Sequence, residues 1–155
     1  EPNNASYHAV LAFLYKEIGR YADASREALT VFRLQPENKE VEKFLEILLQ
    51  LDINDPTIHA SLAYFYKQTG QKEKARQEYL ITETFYSQAV IQYPKNAGFH
   101  FRLASVYKEL DEYIAAYQEA LLAEKLDSKA FHDLTINLIR SLPADYWERY
   151  TELKK

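Results

Sequence analysis

The sequence predicts an all-α protein made of repeated helix–turn–helix units, and two observations carry that reading. Only 3 Gly and 5 Pro punctuate 155 residues, and they stand apart, which suits helices joined by short turns better than a many-turned β protein. The stretch YHAVLAFLYKEIG, Tyr7 to Gly19, returns as IHASLAYFYKQTG (Ile58 to Gly70) and as FHFRLASVYKELD (Phe99 to Asp111).

Aligning the copies on Leu11-Ala12, Leu62-Ala63 and Leu103-Ala104 brings Tyr15, Tyr66 and Tyr107 into register, one helical turn after each Leu. Further on, Ala24, Ala75 and Ala116 coincide, and one turn beyond them come Ala28, Tyr79 and Ala120, on a second helix. Gly19, Gly70 and Asp111 fall between the two, where a residue tolerant of left-handed backbone angles ends the first helix.

These residues resemble the tetratricopeptide-repeat family, whose signature runs W-x2-L-G-x2-Y, then A-x3-F, then P, with a 34-residue period. Here it reads H-x2-L-A-x2-Y, with His in place of Trp and Ala in place of Gly. The resemblance covers about residues 1–127 and implies a right-handed α-solenoid whose work is protein–protein interaction.

The spacing is regular at both ends and irregular between. Pro2 to Pro36 is 34 residues, and so is Pro94 to Ser128, which holds the place of the next terminal Pro. Pro36 to Pro94 is 58, not a multiple of 34. Within that gap EVEKFLEILLQL places Val41, Phe44, Leu45, Leu48 and Leu51 on one helical face, which predicts an extra helix at about 38–51. Ile53 to Pro94 is 41 residues, seven more than a repeat. Seven residues make about two helical turns, so the second helix of the middle repeat is expected to run from about 72 to 92, extended by about 10 Å. The extra helix also inverts the up–down alternation, which puts a single smooth groove in doubt.

Beyond Ser128, FHDLTINLIRSL is a decayed copy with Thr135 and Ile136 in place of Leu-Ala. Pro143 suits the first turn of a last helix carrying Tyr146, Tyr150 and Leu153 on one face. Repeat arrays need a terminal cap, and 129–155 is expected to supply it. The whole is read as one domain, 1–155: repeat 1 at about 5–36, the extra helix at 38–51, repeat 2 at 56–93, repeat 3 at 96–127 and the capping pair at 129–155. At the other end Pro2-Asn3-Asn4 resembles the close of a preceding repeat, and with no Met in the chain the expectation is a piece of a longer protein.

Composition narrows the function classes. A net charge of -4, from 19 basic and 23 acidic residues without a long block of one sign, argues against nucleic acid as a partner. No apolar run approaches the roughly 18 residues of a membrane span, so no direct membrane insertion is expected. The absence of Cys removes disulfides and thiolate chemistry but fits a cytoplasm or a periplasm equally, and localisation stays open. No nucleophile, base and orienting group can be proposed together, so no enzyme activity and no cofactor are expected. Asp52-Ile53-Asn54-Asp55 lacks the Gly and bidentate Glu of a calcium loop, and Asp55 before Pro56 reads as a helix N-cap. Asn4-Ala5-Ser6 is a glycosylation sequon by pattern only.

The candidate residues lie on the first helices. His8, His59 and His100 share a face with the Leu and Tyr of their repeats and point toward the partner helix, so they read as packing residues in the Trp slot rather than as metal ligands. His132, in the decayed copy, shares that reading. The opposite face carries Ala9, Phe13 and Lys16, then Ala60, Tyr64 and Lys67, then Phe101, Arg102, Ser105 and Lys108. A lone amphipathic helix would give that side to water, and Phe13 does not belong there unless something covers it. In the family this face lines the concave groove that receives peptide segments. The resemblance therefore implies a groove with aromatic anchors and lysines at its edge. The other reading buries Phe13 and Tyr64 against a neighbouring helix. With Arg102 the only guanidinium among these groove positions, a carboxylate clamp of the family's Lys/Asn/Arg kind is not supported. The lysines either steer an acidic ligand or end a solvated stripe. Tyr79, Phe85 and Tyr86 either pack on the extra helix or form a self-association surface, and Trp147 reads as a cap residue. The expected function is a scaffold that binds a protein or peptide partner in the groove. The alternative is a self-assembly module that oligomerises through the repeat ends and the long helix.

Overall fold

The structure, a computed structural model, describes residues 4–153. Pro2 and Asn3, read above as the close of a preceding repeat, and the last two residues of the expected cap lie outside them. The described residues form nine helices and no strand: α1 (Ala5–Glu17), α2 (Tyr21–Leu34), α3 (Glu40–Leu51), α4 (Pro56–Gln68), α5 (Lys72–Gln92), α6 (Ala97–Glu109), α7 (Tyr113–Leu126), α8 (Ser128–Arg140) and α9 (Ala144–Leu153).

The same local chemistry starts each first helix. Asn4, Asp55, Asn96 and Asp127 accept hydrogen bonds from the backbone N–H of Ser6, Thr57, Phe99 and Ala130. Each cap satisfies one donor that the helix cannot pair internally, worth about 1 kcal/mol. The ends are equally uniform. Gly19, Gly70 and Asp111 take φ of 75°, 79° and 64°. This turn lets the N–H groups of Arg20, Gln71 and Glu112 reach back to the carbonyls of Tyr15, Tyr66 and Tyr107, at 2.8, 2.8 and 2.9 Å. That is the Schellman closure, and it sets the chain directly into the second helix.

The chain divides into two compact units, residues 1–82 and 83–155, and the division falls inside α5. In the first unit α2 packs against α1, α3 and α4, and α3 packs against α4. The seam between α2 and α4 is made by the Phe32 and Phe65 rings, 4.8 Å apart, and by the Ser61 hydroxyl donating to Ser25 at 3.1 Å. The inserted α3 lays Val41, Leu45 and Leu48 into this core, while Leu51, the last residue of its expected apolar face, stays exposed. Each fully buried Leu stabilises by roughly 1.5–3 kcal/mol, so α3 is anchored by the unit's core.

In the second unit α7 packs on α6 and α8, and α8 on α9. Ala104, Ala116, Ala120, Ile139, Leu142 and Tyr150 share one core, with Tyr146 and Trp147 against it. Thr135 is buried in the slot that Leu fills in the other copies, and its hydroxyl donates to the Ala120 carbonyl at 3.1 Å. The hydrogen bond makes a polar residue tolerable there.

Candidate functional site

Every histidine is tied to a carboxylate. Nδ1 of His8, His59 and His100 lies 2.6 Å from Oε2 of Glu27, Glu78 and Glu119, in each case 19 residues further along and on the second helix of the hairpin. Nε2 of His59 and of His100 faces a second acceptor, the carbonyl of Ile53 at 2.8 Å and of Pro94 at 3.0 Å. Burial alone would pull the His59 pKa down. The hydrogen bonds to Glu78 and the Ile53 carbonyl, with the charges of Glu78 and Asp55, outweigh it and raise the pKa above 6.5. His132 repeats the clasp in the cap, with Nδ1 2.6 Å from Oε1 of the buried Glu124, which also accepts from the Tyr150 hydroxyl at 3.2 Å. Burial, followed by the charge of Glu124, pushes Tyr150 up to about 12. The imidazoles thus tie helices together.

The four glutamates are the residues that sequence reasoning missed. Their signal was the constant 19-residue interval in the three clear copies. It is not a helical period, because it crosses from one helix to the next, so a search for spacing within one helix passes over it.

The opposite face of the first helices is arranged differently. On α1, Phe13 is 53% exposed, and the Lys16 ammonium sits 4.9 Å from its ring centroid and 2.7 Å from Glu17. Such a cation over an aromatic face is worth about 0.5–1 kcal/mol at an exposed site. Ala9 opens onto a hollow of about 140 Å³ whose walls are Ala12, Ala28, Val31, Val41 and Phe44, with Asn38 and Glu40 as its polar members. On α4, Ala60 and Tyr64 are half-buried and Lys67 is exposed.

On α6, in the second unit, Phe101 is half-buried with its ring 5.5 Å from Phe131 of α8, and Arg102 is exposed. The Ser105 hydroxyl donates to the Phe101 carbonyl at 2.9 Å, and Lys108 lies 2.9 Å from Glu109. Phe13 is therefore the open aromatic, and Phe101 is partly spent on internal packing. Among the aromatics noted on the long helix, Tyr79 and Tyr86 are buried, and Tyr86 lies 6.5 Å from the Phe99 ring. Trp147 stacks on Tyr150 at 5.5 Å, inside the cap.

Among the described residues no group of three His, Cys, Asp or Glu could hold a metal ion, and no helix is long and apolar enough to cross a membrane.

Capped helix pairs closed by the same turn and the same His–Glu clasp define a helical-repeat protein. Residues 56–80, which are α4 and the start of α5, match the family model described as tetratricopeptide repeat. The match identifies this hairpin as such a repeat. It supports a protein-interaction scaffold in general terms and points to a non-enzymatic role. Among solved structures, the type III secretion translocator chaperone SycD of Yersinia enterocolitica is similar at 19% identity, over 94% of this chain and 93% of that one, with a TM-score of 0.45. MamA of AMB-1 is similar at 16% identity, over 95% and 82%, with a TM-score of 0.45. MamA from Desulfovibrio magneticus RS-1, from residue 41 to its end, is similar at 15%, over 81% and 77%, with a TM-score of 0.37. Comparison with curated proteins returned no match.

Proposed function

We propose that the chain binds a partner's peptide segment or helix on the face of its first helices. The residues are Ala9, Phe13 and Lys16 of α1, Ala60, Tyr64 and Lys67 of α4, and Phe101, Arg102, Ser105 and Lys108 of α6. The proposal takes residues 1–155 as one working array of repeats at about 5–36, 56–93 and 96–127, with the cap at 129–155. The observation that carries it is the half-exposed Phe13 ring, held under Lys16, on the helix whose Ala9 opens onto an apolar hollow of about 140 Å³. An exposed aromatic ring on such a helix is the kind of side chain that anchors a partner. A hollow of that size takes one aliphatic or small aromatic side chain.

The test is a selection from a displayed library of random peptides. Sequences enriched by the wild-type chain should share apolar anchors and lose at least tenfold in affinity for Phe13→Ala and Tyr64→Ala, with unfolding midpoints unchanged. Enriched peptides that bind both variants like wild type would show that the face has been misplaced.

Self-association is the second reading. It is favoured by Ile91 on the long helix and Leu153 on α9, both well exposed. Solution mass along a dilution series decides it, because a constant monomer mass removes this reading.

A further inference from the structure

The hollow beside Ala9 has a filled counterpart in the second unit. Its walls come from α1, α2, α3 and the turn before α3, all in the first unit. Ala12, Ala28, Val31 and Val41 line it as buried residues, Ala9 is exposed and Phe44 of α3 is half-buried. Ala12 and Ala28 hold the same places in the repeat as Ala104 and Ala120. Those two alanines are buried in the core of the second unit, where the place of Ala9 belongs to Phe101. The Phe101 ring packs on that core and lies 5.5 Å from Phe131 of α8, the helix that follows. In the middle repeat Ala60 is retained, but the buried Tyr79 stands where repeat 1 has Ala28. Of the three clear copies, repeat 1 alone has alanine at all three places. It lacks a ring that the others carry, and about 140 Å³ of space lies beside its alanines.

The filled copy states what the space accepts. A cavity of about 150 Å³ with apolar walls holds one benzene molecule, so the volume suits a single ring. The following helix supplies an aromatic neighbour in both units, Phe131 on α8 and Phe44 on α3. We propose that the hollow binds one aromatic ring, brought either as a free small molecule or as a side chain of a peptide lying on the first helices. For the second source the inference rests on the function proposed above, and it narrows the anchor from any apolar side chain to Phe or Tyr. Contact with the Phe44 ring favours an aromatic group over an aliphatic one by about two- to tenfold.

The probes are toluene, N-acetyl-phenylalanine amide and N-acetyl-leucine amide, each titrated into the methyl-labelled 155-residue chain and followed by NMR. Saturable shifts are expected at the methyls of Ala9, Ala28, Val31 and Val41. The phenylalanine amide should bind about two- to tenfold more tightly than the leucine amide. Ala9→Phe places in the hollow the residue that repeat 3 carries, and Ala28→Tyr the residue of the middle repeat. Each should abolish the shifts that toluene causes at Val31 and Val41. Circular dichroism verifies that the variants fold, and either one suffices if the other does not. Binding of toluene without the phenylalanine amide supports the proposal with a free molecule as the source, and binding of both supports the side chain as well. The proposal is overturned if neither ring probe moves these methyls up to its solubility limit. It is equally overturned if the leucine amide binds as tightly as the phenylalanine amide, or if a folded filled variant binds toluene like wild type. These small probes do not reach along the first helices, so their failure is distinct from that of the peptide-binding face, which the Phe13→Ala and Tyr64→Ala comparison decides.

Discussion

His59 Nδ1 lies 2.6 Å from Glu78 Oε2 while Nε2 of the same ring lies 2.8 Å from the Ile53 carbonyl. Both partners only accept, so a ring that satisfies both donates twice and is an imidazolium. One buried charge is matched by one carboxylate, and the pair ties α4 to α5.

This gives the pH dependence a sign. The folded-state pKa of His59 is raised above 6.5, so folding binds a proton more tightly than the unfolded chain does. The stabilisation from this group is fully present below about pH 6.5 and is lost as pH rises through the elevated native value. Urea midpoints measured across that window should fall for wild type and fall less for His59→Gln. An NMR titration placing His59 below 6.5 would refute the assignment.

The clasps differ in burial, and that ranks them. The His59 side chain is 5% exposed and that of His8 is 19%. Removing an acceptor costs most where water cannot replace it, about 1–3 kcal/mol for a buried group. Glu78→Ala should therefore destabilise by about that much in chemical denaturation, and Glu27→Ala by clearly less. Equal losses would mean that burial does not set the value of the clasp.

Gly70 isolates backbone strain from crowding. A Cβ placed there meets nothing within 4 Å, yet φ is +79°. Gly70→Ala should cost roughly 1–2 kcal/mol through the left-handed conformation alone. Gly70→Asn should cost less, since Asn tolerates that region. Urea denaturation of the two variants measures both values.

Much of the local structure is legible in the sequence because its causes are local. Asp55 before Pro56 announces a helix start, and Gly19, Gly70 and Asp111 announce helix ends, since capping and left-handed turns depend on a few adjacent residues. The apolar spacing of Val41, Leu45 and Leu48 likewise declares α3. The candidate site is less legible. Spacing places Phe13 and Phe101 on equivalent faces, but only coordinates show Phe13 open and Phe101 against Phe131.

By itself, then, the sequence determined the helices, their caps and the repeat, because hydrogen bonding within a turn and the 3.6-residue period are properties of neighbours along the chain. Tertiary structure alone decided which faces meet. The glutamate that holds each histidine lies on a different helix, and Phe65 of α4 meets Phe32 of α2, contacts that only folding creates. An exposed Leu14 and a buried Phe65 occupy the same place in the repeat, and only packing separates them.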